Sequence, residues 1–83
     1  MALGRDELVT FLKDSLDVDM DNLAHDAPLF SSGEIDSFSL VSLIEHIEKE
    51  CGFRVKPTEV SLDNMDSVDR LMAYIDRKCA EAN

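Results

Sequence analysis

The residues best suited to chemistry lie in Leu29-Phe30-Ser31-Ser32-Gly33-Glu34-Ile35-Asp36-Ser37, a polar run that passes directly into the apolar-periodic stretch Phe38-Ser39-Leu40-Val41-Ser42-Leu43. Asp36 suits the N-cap of a helix, because its carboxylate can accept backbone N–H groups left unpaired in the first turn. Ser37 then takes the first helical position, its hydroxyl turned to solvent beside the positive end of the helix dipole. A covalently attached anion is well placed there, and a phosphate fits best. The plain alternative is a capped helix that starts with serine and carries nothing.

A hydrolase would need a base within hydrogen-bond reach of Ser37. His46 lies about 13.5 Å further along the same helix and half a turn out of phase, so it cannot serve. His25 could approach only through loop folding, and Ile35-Asp36-Ser37-Phe38-Ser39 lacks the glycines of a nucleophile elbow. Both histidines are expected at the surface, and no carboxylate pair suggests hydrolysis. The serine is available, not activated, which favours modification by another protein's active site.

The elements that must position this serine are helical. Leu8, Val9, Phe11, Leu12 and Leu16 recur at helical spacing and predict an amphipathic helix over about Arg5 to Leu16. A long connection follows, from Asp17 to Ile35, with Leu23, Leu29 and Phe30 as expected anchors into the core and one helical turn expected near Asp21–Ala24. Its Asp17-Val18-Asp19-Met20-Asp21 imitates the start of a calcium loop, but Asn22 replaces the required glycine and Pro28 the bidentate carboxylate. The second helix is predicted from Ser37 to Cys51, with Leu40, Leu43, Ile44, Ile47 and Cys51 as its buried stripe and Gly52 as its exit. Phe53 to Pro57 reads as an extended connector, and Thr58 to Met65 as one or two mobile turns carrying Val60, Leu62 and Met65. The last helix starts near Asp66 or Ser67, either of which could cap it. Val68, Leu71, Met72, Ile75 and Cys79 form its apolar face, with Arg77 and Lys78 near its end to suit the dipole. The sum is an all-α fold: a small four-helix bundle with three longer helices, a short third helix and a long first loop.

Composition bounds the function. Eighty-three residues (1–83) make one domain, small for a chain without staples. Eighteen acids against eight Lys and Arg give a net charge of −10, which repels nucleic acid and favours partners with basic docking surfaces. Cys51 and Cys79 are too few for a disulfide framework and lack metal-ligand spacing, so ordinary packing is their expected role. No run is long enough to span a bilayer, and Met1-Ala2-Leu3-Gly4-Arg5-Asp6-Glu7 has no signal-peptide core. The expectation is a soluble, cytoplasmic monomer.

Leu29-Phe30, Gly33-Glu34-Ile35-Asp36-Ser37, the helix that follows and its Gly52 exit resemble the acyl carrier protein family, over about Leu8 to Ile75. The resemblance implies a non-catalytic carrier with 4′-phosphopantetheine on Ser37, transferred from coenzyme A by a phosphopantetheinyl transferase using magnesium and recognising Asp36. The arm's thiol then holds an acyl or aminoacyl thioester. It implies docking of partner enzymes through the second helix, here at Glu45 and Glu48, and Phe38, Val41, Leu62 and Met65 bordering the arm and its cargo. For those four, plain core packing is the alternative.

Ser39 and Ser42 stand where carriers of fatty-acid synthesis usually have acids, and Phe38 replaces the usual Leu or Met. Phe30-Ser31-Ser32-Gly33…Asp36-Ser37 is also similar to stand-alone carriers of D-alanine and other amino acids. The expectation is a discrete carrier of a specialised lipid or secondary-metabolite pathway, fatty-acid or polyketide in type. Its alternative is an aminoacyl or D-alanyl carrier loaded by an adenylating ligase. An unmodified acidic adaptor that only docks a basic partner is the alternative from another class.

Overall fold

The apolar stripes close on one another in the computed structural model, which describes residues 3–82. The helices are α1 (Arg5–Asp14), α2 (Ser37–Cys51), α3 (Leu62–Met65) and α4 (Val68–Ala82), with a 3-10 turn at Pro57–Glu59. No strand occurs among the described residues. This is the all-helical architecture, three long helices and a short third one, that periodicity predicts. Its core joins Leu8 and Leu12 of α1, Leu43 and Ile47 of α2, Met65 of α3, and Val68, Leu71, Tyr74 and Ile75 of α4. Each such aliphatic side chain contributes about 1.5–3 kcal/mol on burial.

α1 ends at Asp14, short of the expected Leu16. The Val18 N–H turns back to the Leu12 carbonyl at 3.0 Å, while Asp17 adopts a left-handed φ of 60°. That turn back past the helix end stops α1 and tucks Val18 into the core. The connection therefore anchors on Val18, Met20, Leu29 and Ile35, all buried, while Leu23 and Phe30 are only half-buried. Only turns, and no helix, form around Asp21–Ala24. The acids of the calcium-like run are engaged locally: Asn22 donates to Asp19 at 2.9 Å and Lys13 to Asp21 at 3.1 Å.

α2 matches its expected bounds. Asp36 caps its start by accepting the Ser39 N–H at 2.8 Å, and Gly52 closes it at φ 77°, where a Cβ would be strained. The extended connector is pinned, since Phe53 is buried edge-on against Tyr74.

α4 runs further than its basic residues suggest, so Arg77 and Lys78 lie before its last turn and do not serve the dipole there. Lys78 instead pairs with Glu59 at 3.1 Å, and Arg77 lies over the Tyr74 ring. Tyr74 is fully buried, and its hydroxyl donates to Glu59 at 3.1 Å. Burial and the Glu59 carboxylate both push the Tyr74 phenol well above its ordinary value. The same carboxylate accepts the Lys56 N–H, whose hydrogen bond is the main reason Glu59 titrates below the ordinary range, against a smaller opposing effect of desolvation. This knot holds the Pro57–Glu59 turn and the start of α3 onto α4.

Candidate functional site

Ser37 is the first residue of α2 and is exposed. Its position follows from Asp36, whose carboxylate takes the Ser39 N–H and so fixes where the helix starts. That hydrogen bond, with the Ser39 hydroxyl second, holds the Asp36 carboxyl below its ordinary value. Asp36 is therefore an anion, committed to the cap.

The first turn of α2 carries no acid, whereas Asp6 and Glu7 occupy that of α1, Glu59 the 3-10 turn, Asp63 that of α3 and Asp69 that of α4. At the start of α2 the internal counter-charge is the Asp36 carboxylate at the cap, and the first turn beyond it holds none. A phosphodiester on the Ser37 oxygen would supply one there. The residues present fit that group.

No histidine or carboxylate hydrogen-bonds the Ser37 hydroxyl among the described residues. His46 stacks flat on Phe11 with ring centroids 3.9 Å apart. His25 Nδ1 lies 3.0 Å from the Arg5 guanidinium, which also holds Asp69 at 2.6 Å. Both histidines are half-buried and engaged, rather than free at the surface.

One helical turn from Ser37, the loop, α2 and α3 flank an open apolar groove of about 270 Å³, lined by Phe30, Leu40, Val60, Ser61, Leu62 and Met65. Of the four residues nominated to border an arm and cargo, Leu62 and Met65 meet here. Met65 is fully buried, and Leu62 stands 55% exposed at the lip. Phe38 and Val41 do not line the groove. They point outward, 83% and 55% exposed, because α2 turns its Leu40, Leu43 and Ile47 side inward. Sequence reading placed Leu40 only in the buried stripe and Phe30 only among the anchors. The signal for Leu40 was present, since it lies one helical turn from Ser37.

Phe30 is held in the groove wall by a device the sequence did not disclose. The Phe30 and Ser31 N–H groups donate to Asp66 Oδ1 at 2.8 and 3.0 Å, the Leu29 N–H donates to the Asp66 carbonyl at 2.7 Å with a longer contact to Oδ1 at 3.2 Å, and the Ser31 hydroxyl donates to Oδ2 at 2.6 Å. Desolvation pushes the Asp66 carboxyl upward, but the Ser31 hydroxyl and the three N–H groups outweigh it, and it titrates below the ordinary range.

The two nominated docking acids differ. Glu45 is exposed and unconstrained in the hydrogen-bond pattern of the described residues, whereas Glu48 is half-buried. Glu48 accepts the Val55 N–H at 2.8 Å and faces Arg54 at 3.6 Å, so it ties the connector to α2.

The bundle thus presents an exposed hydroxyl at the start of α2, one helical turn from an apolar groove. The chain belongs to the phosphopantetheine attachment site family, whose model matches residues 6–75. It is similar to the D-alanyl carrier protein of Abiotrophia defectiva, 34% identical over 55 residues that make up 66% of this chain and 70% of that protein. No solved structure matches it significantly. The protein is thus a phosphopantetheine carrier without catalysis of its own, with 4′-phosphopantetheine on a serine and a phosphopantetheinyl transferase as a partner. No helix among the described residues is long and apolar enough to cross a membrane.

Proposed function

We propose that Ser37 is the serine that bears the arm, and that the chain is a single, discrete, monomeric carrier domain loaded by a separate adenylating ligase. The observation that carries this reading is the exposed Ser37 hydroxyl at the start of the one described helix whose first turn holds no acid. Ser37 contributes an oxygen, Asp36 fixes its position, and the N-terminal peptide groups of α2 face the phosphodiester. The arm's thiol holds the cargo as a thioester. No base of this chain reaches Ser37, so its proton leaves to the transferase.

An aminoacyl cargo is supported by the relative's name, D-alanyl carrier protein, and by Ser39 and Ser42 on the early face of α2. A short acyl chain is the second reading, favoured by the apolar lining of the 270 Å³ groove. Glu45, with the exposed Phe38 and Val41, would meet the ligase, while Glu48 stays within the fold.

Coenzyme A and a promiscuous phosphopantetheinyl transferase should add one phosphopantetheine to the protein by intact mass and none to Ser37→Ala. Addition to Ser37→Ala would put the arm elsewhere. The intact mass of the protein from its native host then separates the two cargoes.

A further inference from the structure

Cys51 and Cys79 belong neither to the serine site nor to its groove, and both thiols are free. Cys51 is the last residue of α2, about 21 Å along the helix from Ser37. Cys79 lies near the end of α4. Packing brings these two helix ends together. Cys51 follows Ile47, and Cys79 follows Ile75, by four residues, so each thiol stands one turn beyond a fully buried core residue on the same face of its helix. Phe53, two residues past Cys51, packs edge-on to the Tyr74 ring, and the Lys78 ammonium, next to Cys79, lies 5.9 Å from the Phe53 ring centre. Both cysteines are half-buried against the one core, so each stays partly open to solvent. Burial pushes the Cys51 thiol up, a Leu3 N–H opposes it, and the Cys79 thiol adds to the rise through charge and hydrogen bonding.

We infer that Cys51 and Cys79 are a dithiol modification site that closes to an intramolecular disulfide, with a low-molecular-weight disulfide such as glutathione disulfide as the oxidant. One cysteine gives its proton to solvent, and its thiolate attacks a glutathione sulfur. A mixed disulfide forms and one glutathione thiolate leaves. The second cysteine, deprotonated in turn, attacks the protein sulfur of that mixed disulfide, forming the Cys51–Cys79 bond and expelling the other glutathione thiolate. The cysteines lose two electrons, glutathione disulfide gains them, and both expelled thiolates take up protons. Because burial favours the protonated Cys51 thiol, closure quickens as pH rises.

The bond encircles residues 52–78, which hold the connector, the Pro57–Glu59 turn, α3 and most of α4. Val60, Ser61, Leu62 and Met65 of the groove wall lie inside that loop. Closing it restricts the unfolded chain and so favours the folded one. Ser37, at the opposite end of α2, stays outside the loop, so the staple stiffens the carrier without touching the hydroxyl. The inference does not depend on which serine is modified, because the unmodified chain has only these two thiols.

The test adds glutathione disulfide to the folded, unmodified protein and reads the products by intact mass and peptide mapping after acid quenching. The unaltered chain should lose two hydrogens and yield a peptide pair cross-linked between Cys51 and Cys79. Cys51→Ser and Cys79→Ser should each stop at a mixed disulfide with glutathione. Oxidation should raise the melting temperature by at least about 5 °C, reversed by dithiothreitol. A mixed disulfide that persists on the unaltered chain, or a disulfide-linked dimer, overturns the pair. So do two thiols left free in the folded protein by oxidant that closes the urea-unfolded chain. An oxidised chain that melts no higher than the reduced one also overturns it, since the bond then joins residues that folding keeps apart. Should either serine variant fail to fold, the cross-linked peptide from the unaltered chain decides.

Discussion

Asp36-Ser37 opens α2 and Asp66-Ser67 opens α4, the same dipeptide at the start of two helices of 15 residues each. At α2 the aspartate is the cap, accepting the N–H of Ser39, and the serine falls on the first turn, exposed. At α4 the register differs by one residue. Ser67 accepts the N–H of Arg70 at 3.0 Å through its hydroxyl and is 3% exposed. Asp66 is released from capping and reaches back to the loop. One serine is left available by its cap, and the other is consumed as a cap. The difference shows that an Asp-Ser step at a helix start does not by itself define an attachment site. What matters is which of the two residues the helix takes for its cap.

Four experiments break or sharpen that comparison. The largest effect is expected from exchanging the serines' roles. Ser37→Ala should lose all phosphopantetheine addition with an unchanged melting curve. Ser67→Ala should keep full addition and lose stability, because the Arg70 N–H loses its acceptor. Addition that depended equally on both serines would erase the distinction.

Asp66→Ala should come next, lowering unfolding free energy by about 2–3 kcal/mol, because consecutive N–H groups lose a charged acceptor. Hydrogen exchange should rise at Phe30 and Ser31 and less at Leu29, whose N–H keeps the backbone carbonyl of residue 66 at 2.7 Å, with addition at Ser37 retained. Unchanged exchange there would mean the loop is held by packing alone.

A smaller effect separates the two acids on α2. Glu48→Lys should lower the melting temperature, since it strands the Val55 N–H and faces Arg54, while Glu45→Lys should leave it unchanged and slow loading by the ligase. Equal melting temperatures would return Glu48 to the docking surface.

The smallest effect is a slope. Asp66 titrates below its ordinary value of 3.8 in the folded chain, so it binds fewer protons folded than unfolded as pH falls past that value. Its contribution is present in full above the ordinary value and is lost as pH drops through the depressed one. Asp66→Asn should therefore flatten the acid limb of the stability curve by chemical denaturation. A limb parallel to that of the unaltered protein would assign acid sensitivity to Asp36 and Glu59 instead.

Much of this molecule is legible without coordinates, for a local reason. Apolar side chains at helical spacing mark which face each helix buries, and Leu8, Leu12, Leu43, Ile47, Leu71 and Ile75 are all fully buried as that spacing requires. Asp36 as cap, Ser37 as first residue and Gly52 as exit are equally local, because each is satisfied within one turn of chain. Ser37's isolation from any base also follows from spacing along one helix.

The illegible parts are contacts between segments far apart in sequence. Asp66 and the Leu29–Ser31 backbone lie more than thirty residues apart (separations of 35 to 37), and no pattern in either segment names the other. The bond from Tyr74 to Glu59 likewise joins α4 to a turn 15 residues earlier. Phe38 and Val41 point outward because helix packing, not hydrophobicity, decides which apolar residues on α2 are covered.

The sequence by itself determined the helical bundle, the start of α2 and a serine with no base beside it. Only the tertiary structure decided which Asp-Ser step keeps a free hydroxyl, since the Phe30 and Ser31 N–H groups and the Ser31 hydroxyl engage the Asp66 carboxylate away from α4 and leave Ser67 to cap it.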